Sequence, residues 1–117
     1  MEKFYKNGKE VPSTEGIVEK AEGSAPHIGF LKDGQYTLEL KIDTFKAPVI
    51  VPTAHNLRID VGERVRLYSS VGFDSPRNGC GGLIAIDALE ILGEGNRVLF
   101  RYISSRADTN AVFEEHA

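Results

Sequence analysis

The stretch Tyr36-Thr-Leu-Glu-Leu-Lys-Ile-Asp43 decides the fold, because apolar and polar residues alternate along its whole length. Successive side chains of an extended chain point to opposite faces, so the apolar residues of this stretch share one face and the polar residues share the other. The pattern predicts a β-strand with one buried and one solvated face.

Further strands are predicted on both sides of this stretch. Gly16-Ile-Val-Glu-Lys-Ala21 precedes it, and Ala47-Pro-Val-Ile-Val-Pro52, which is β-branched and bracketed by prolines, follows it. Asp60-Val-Gly-Glu-Arg-Val-Arg-Leu-Tyr68 begins with a glycine turn and then alternates. Leu83-Ile-Ala-Ile-Asp-Ala-Leu-Glu-Ile-Leu92 is mostly apolar, which predicts a strand buried on both faces.

Two hairpins are predicted near the ends of the chain. The pair Asn7-Gly8 favours a type I′ turn within residues 4–11. Gly93-Glu-Gly-Asn96 predicts a turn into a returning strand, Arg97-Val-Leu-Phe-Arg-Tyr-Ile103. Whether these hairpins extend the main sheet or form a separate ribbon stays open at this point.

The tail is predicted to form a short helix. Asp108 or Thr109 would cap one or two turns through Ala111, Val112 and Phe113, and the apolar side of the helix would dock on the rest of the chain. Because short strands recur at close spacing and no long helix is predicted, the chain as a whole is predicted to be all-β.

Composition limits the class of protein. A chain of 117 residues is long enough for one domain with its own core, and one cysteine excludes a disulfide framework or a zinc ribbon. The 14 basic and 17 acidic residues give a net charge of −3, which excludes a strongly cationic nucleic-acid binder but leaves room for a local basic face. No apolar stretch has the length of a membrane span or a signal peptide, so the expected location is the cytoplasm.

Taken together, several segments resemble an OB-fold domain. The resembling strands are, in order, Gly16-Ile17-Val18, Leu38-Glu-Leu-Lys-Ile-Asp-Thr44, Val49-Ile50-Val51, Ile59-Asp-Val-Gly-Glu-Arg-Val-Arg-Leu67 and Leu83 to Leu92. The resemblance covers roughly residues 16–92, and it departs from the family in leaving room for one helical turn at most between the third and fourth strands. It implies a small Greek-key OB-fold-like barrel of five strands within a single domain of residues 1–117. Residues 1–15 would be an N-terminal hairpin extension, 93–106 an additional strand and 107–117 the short tail helix.

The resemblance also implies a ligand face on the second and third strands, flanked by the loops after the first and fourth strands. Single-stranded nucleic-acid binders need aromatic rings for base stacking and cations along the backbone track. Candidates of both kinds occur in all three regions: His27, Phe30, Lys32, Lys41, Phe45, Lys46, Phe73 and Arg77. The expected function is therefore non-enzymatic binding of single-stranded DNA or RNA. Glu39 and Asp43 alternate with Lys41 on the same face and would repel phosphate, so the binding is expected to be modest and salt-sensitive.

Other interpretations of these residues remain open. A chain with ten aromatic residues and no tryptophan needs most of those rings for its core. The basic residues Arg64, Arg66, Arg97 and Arg101 are expected to pair across strands with Glu63, Glu90 and Glu94. The alternative function is a scaffold subunit of a larger nucleic-acid-processing complex, binding a protein partner or a second copy through Val112 and Phe113.

The sequence gives little support for catalysis. Cys80 lies in the glycine-rich segment 78–82, but His27, His55 and His116 stand at no spacing typical of a Cys–His site. The chain is therefore expected not to be an enzyme and to hold no metal or cofactor.

Overall fold

The computed structural model describes residues 2–24, 36–45, 48–53, 57–70, 84–104 and 110–115. Over these residues the chain is all-β, as predicted, and its strands form two sheets. The strands are β1 (Glu2–Lys6), β2 (Lys9–Glu10), β3 (Ser13–Ser24), β4 (Tyr36–Ile42), β5 (Val49–Thr53), β6 (Arg64–Tyr68), β7 (Ile84–Ala85), β8 (Ala88–Leu92), β9 (Val98–Ile103) and β10 (Ala111–Glu115). The larger sheet has the order β7-β5-β4-β3-β6-β8-β9, and the smaller sheet, here called the terminal sheet, has the order β10-β1-β2.

Strand β3 is long because it pairs with two different strands. Residues 13–17 pair antiparallel with β6, and residues 18–24 pair antiparallel with β4, with an irregularity in register between Val18 and Lys20. At this change of partner, a Cβ atom added to Gly16 would clash with the side chains of Ile42 and Thr44 and would lie 2.8 Å from Oδ1 of Asp43. The close approach of the two segments therefore requires glycine at this position.

Hydrogen bonds hold the same crossing together. The backbone N–H of Ile17 donates to Oδ1 of Asp43 at 2.8 Å, and the hydroxyl of Thr44 donates to the carbonyl oxygen of Glu15 at 2.8 Å. Asp43, which ends the alternating stretch quoted first, thus fixes β4 against the bend of β3.

The apolar segment that was predicted as one strand, residues 83–92, contains two strands. β7 pairs parallel with β5, and β8 pairs antiparallel with β6 and β9. Asp87 lies at the break, where its Oδ2 accepts the N–H of Ser70 at 2.7 Å and its Oδ1 accepts a hydrogen bond from the ammonium of Lys6 at 3.1 Å. A polar residue inside an apolar run therefore marks the point where the segment changes its pairing partner.

Two apolar clusters hold the strands together. The main core is formed by buried residues of β3, β4, β5, β6 and β8 with two from the connecting segments: Val18, Leu38, Leu40, Ile42, Val49, Val51, Ile59, Val65, Leu67, Ile86 and Leu89. The second core joins the terminal sheet to the opposite face of β6 and β8, and it contains Phe4, Val11, Tyr68 and Ala88. Strands β6 and β8 are thus covered on both faces, as the apolar composition of β8 predicted.

The predicted C-terminal helix is wrong, because residues 111–115 form strand β10. β10 pairs antiparallel with β1, and Phe113 lies opposite Phe4. The ring centroids of this pair are 4.8 Å apart. A short helix gains little stability from its own hydrogen bonds, whereas a strand docked on β1 buries Phe113 and satisfies its backbone at once.

Both predicted turns are confirmed. Asn7 and Gly8 have φ angles of 53° and 78°, as a type I′ turn requires, and Gly95 and Asn96 have φ angles of 66° and 63° in the turn before β9. The N-terminal hairpin belongs to the terminal sheet, whereas β9 extends the larger sheet. Within the described ranges, no helix is long and apolar enough to cross a membrane.

Candidate functional site

The structure describes only part of the predicted nucleic-acid face. Lys41 and Phe45 belong to the described residues. The other predicted ligand residues, His27, Phe30, Lys32, Lys46, Phe73 and Arg77, lie outside them. The two predicted partner-binding residues, Val112 and Phe113, are both described.

The described part of the predicted ligand face carries mixed charge. Lys41 lies on the exposed side of β4, where its Nζ is 3.5 Å from Oε1 of Glu19 on β3. A second pair follows along β3, with Lys20 Nζ 3.1 Å from Glu22 Oε1. Each side chain of the two pairs is at least half exposed to solvent, so each pair contributes little to stability. The glutamates do, however, partly neutralise the two lysines that a phosphate group would meet on this face.

Phe45 packs inward from the end of β4. Its side chain is half-buried and contacts the main core, and its N–H donates to the carbonyl oxygen of Ile42 at 3.1 Å. This position favours the core interpretation of Phe45 over base stacking, since a stacking ring must offer its face to the ligand.

Phe113 and Val112 face opposite sides of β10. Phe113 contacts Phe4 and Tyr68 of the second core, and the guanidinium of Arg101 lies 4.0 Å above its ring. Val112 is 40% exposed. Phe113 is therefore engaged within the chain, and Val112 is the member of the predicted pair that faces solvent.

A buried charge network lies between the larger sheet and the terminal sheet. At its centre is Glu90, which is 2% exposed. One carboxylate oxygen accepts hydrogen bonds from the Tyr68 hydroxyl and, at 3.2 Å, from Nη1 of Arg66. The other oxygen accepts hydrogen bonds from Nε and Nη2 of Arg101 at 3.1 and 2.9 Å. Of the expected cross-strand pairs, those of Arg66 and Arg101 with Glu90 are thus confirmed, and they are buried. Arg64 differs from the expectation, because its Nη2 donates to the carbonyl oxygen of Gly93 at 3.2 Å and to Oδ1 of Asn96.

Two further carboxylates complete the network. Glu15 on β3 accepts Nη2 of Arg66 at 3.1 Å, and Glu2 on β1 accepts Nη1 of Arg101 at 3.3 Å. Each guanidinium therefore lies between two carboxylates, which compensates for the loss of its hydration. Because Glu2 belongs to the terminal sheet, the network also fastens that sheet to β9.

Burial and hydrogen bonding shift the protonation of this cluster. Burial raises the pKa of Tyr68 to about 12, and the hydrogen bond to Glu90 acts in the same direction. For Arg101, burial lowers the pKa of the guanidinium, but the hydrogen bonds to Glu90 and Glu2 outweigh burial, so its pKa is raised. The arginines therefore stay charged, and Tyr68 stays a hydrogen-bond donor, throughout the neutral range.

The network and the terminal sheet together cover one face of β6 and β8, so that face of these two strands is closed to a ligand. A shallow cleft of about 350 Å³ opens beside the β1–β2 turn, with Lys6, Lys9 and Ser70 among its lining residues. Lys6 is already bound to Asp87, which ties this wall of the cleft to the break between β7 and β8.

Strand β9 presents the most unusual surface of the described chain. It is the last strand of the larger sheet, and within the described residues it pairs with β8 alone. Four of its six residues have large exposed apolar side chains: Val98 (37%), Leu99 (59%), Phe100 (43%) and Ile103 (39%). A long apolar edge strand is a template for pairing with another chain, and proteins usually shield such edges with charge or proline. β9 has no proline, and its charged residue, Arg101, is held by Glu90 and Glu2 of the same chain. An irregularity in register lies near Leu99.

Sequence reasoning did not find this surface. The alternation and aromatic residues of residues 97–103 predicted the strand, but those features do not distinguish a central strand from an edge strand. The position of β9 at the end of its sheet follows from the pairing of β10 with β1, which no local pattern in the sequence indicates.

Within the ranges that the structure describes, no group of three or more His, Cys, Asp or Glu side chains is arranged to hold a metal ion. The chain matches no protein-family model, and no match is found among curated proteins or solved structures.

Proposed function

We propose that this chain is a protein-interaction module that binds an extended partner strand along the outer edge of β9. The observation that carries this proposal is the exposure of Val98, Leu99, Phe100 and Ile103 on a strand at the end of its sheet. In strand addition, backbone hydrogen bonds supply affinity and alternate side chains supply specificity, and β9 offers both an edge and apolar side chains. This is the scaffold alternative of the sequence analysis, with β9 in place of the tail as the docking element.

The test uses a displayed library of random extended peptides selected against the full chain. Selected peptides should lose at least about tenfold in affinity when Leu99→Lys places a charge on the edge, because a buried ammonium would lack a partner. Val61→Lys is the matched control, because Val61 is 64% exposed but lies in the turn before β6. Peptides that bind both variants equally well would refute β9 as the binding edge.

The proposed module is built on an OB-like barrel. Two observations support this architecture. Pairing runs from β3 through β4 and β5 to β7 and, after residues 86–87, from β8 through β6 back to β3, which is the circuit that a barrel needs. Gly16 and the Gly62 turn before β6, where φ is 94°, also lie where the resemblance calls for glycine.

A second candidate function is binding of single-stranded DNA or RNA on the exposed face of β4. The observation in its favour is Lys41, whose side chain is 55% exposed on the strand that the resemblance assigns to ligands. Fluorescence anisotropy with labelled oligo-dT and oligo-U, at low and moderate salt, tests it. Binding should weaken with salt and with Lys41→Ala, whereas Lys3→Ala, which removes an exposed lysine of the terminal sheet, should have less effect. No binding at low salt would refute this candidate.

A further inference from the structure

We infer that the strand that binds the outer edge of β9 is β9 of a second copy of this chain, in an antiparallel pair with Phe100 facing Phe100 of the other copy. This inference rests on the proposed function, since it names the partner of the same edge. Its first support is that the edge matches itself: four of its six residues are apolar and exposed, and an apolar strand is the partner that such an edge fits.

Charge permits two copies of β9 to meet. Arg101 is the charged residue within the strand, and its guanidinium is held at 2.9 Å by Glu90 and at 3.3 Å by Glu2 of its own chain. The strand therefore presents no uncompensated charge that would select an acidic partner or repel a second copy. Arg97 just precedes the strand, and antiparallel pairing places the two copies of Arg97 at opposite ends, about 20 Å apart.

Charge and apolar contact together favour one register. In a symmetric antiparallel pair, the two-fold axis passes between two copies of one residue. An axis at Arg101 would set two guanidinium groups directly opposite each other, which is unfavourable. An axis at Phe100 sets two aromatic rings together and places Leu99 opposite the aliphatic stem of Arg101. The register at Phe100 also brings Val98 opposite Tyr102, so that apolar and aromatic side chains cover each other.

The short contact sets the strength of the pair. A ladder of six residues buries less surface than the roughly 1,200 Å² typical of stable complexes. The irregularity near Leu99 bends one end of the strand and shortens the ladder further. We therefore expect a reversible dimer whose dissociation constant is micromolar or weaker.

Disulfide trapping of the full chain tests this inference. In a background with Cys80→Ser, Phe100→Cys would place two Cβ atoms across the axis within about 5.5 Å, close enough to cross-link after small adjustment. Under mild oxidation, this variant should form covalent dimers at least about tenfold faster than Val61→Cys, although Val61 is the more exposed residue. Equal rates for the two variants would overturn the inference.

Sedimentation equilibrium provides an independent reading that needs no new cysteine. The mean mass of the unmodified chain should rise with concentration, Leu99→Lys should hold it at the monomer value, and Val61→Lys should leave the rise unchanged. A mass that stays monomeric at millimolar concentration would overturn the inference. If library peptides still bind β9 in that case, the proposed function stands and only the second copy is wrong as the partner. If neither a peptide nor a second copy binds, both fail together.

Discussion

Replacing Glu90 with Gln should destabilise the chain by about 3 kcal/mol, because two guanidinium groups would then share a neutral amide. Glu90 is 2% exposed, and the Arg66 side chain that binds it is 5% exposed, so water cannot replace the lost charge at that contact. Removing one partner of a buried ion pair costs about 3–5 kcal/mol. The lower end applies, because Arg66 keeps Glu15 and Arg101 keeps Glu2.

Urea unfolding measures this loss. With a slope of about 1.5 kcal/mol/M, which is typical of small domains, the midpoint should fall by about 2 M. The matched control is Glu22→Gln, which breaks an ion pair with Lys20 whose side chains are 66% and 61% exposed, and it should cost less than about 1 kcal/mol. If Glu90→Gln destabilises the chain no more than Glu22→Gln does, the network does not fasten the terminal sheet as described.

Two further predictions concern single side chains. Gly16→Ala should cost about 2–3 kcal/mol in the same urea assay, because its Cβ meets Ile42 and Thr44. Gly93→Ala should cost less, because its Cβ would lie 3.1 Å from the flexible Leu99 side chain. Equal losses would contradict the close crossing of β3 and β4. The folded-state pKa of Tyr68, about 12, lies above its unfolded value near 10, so its contribution to stability is complete below about pH 10 and is lost as the pH rises towards 12. In Tyr68→Phe, the free energy of unfolding should therefore fall less steeply between about pH 10 and 12 than in the original chain. An equally steep fall in the two proteins would show that Tyr68 is not the group responsible.

Local patterns predicted most of the strands correctly. The alternation from Tyr36 to Asp43 became β4, and Asn7-Gly8 became the turn of the terminal hairpin, since both depend on residues close in sequence. The tail could not be predicted in the same way, because β10 is stabilised by β1 from the other end of the chain. Helix capping at Asp108 or Thr109 is a local signal that pairing with a distant strand overrides.

The candidate site was less predictable than the fold. The sequence predicted that four arginines pair across strands with three glutamates, and the structure bears this out for Arg66 and Arg101 with Glu90. The burial of that cluster depends on the terminal sheet, whose docking leaves no local pattern. Exposure of Leu99 and Phe100 likewise depends on which strand ends the sheet. Apolar periodicity indicates which residues share a face of a strand, and it does not indicate whether another strand covers its edge.

Backbone hydrogen exchange of residues 98–103 tests the central claim most directly, because it reports pairing at the edge itself. It is measured by mass spectrometry on the full chain at low micromolar concentration, and again at millimolar concentration or with a saturating selected peptide. We expect slower exchange within residues 98–103 on association, with little change in β4. Exchange in β9 that does not depend on chain concentration or on added peptide would contradict strand pairing at this edge.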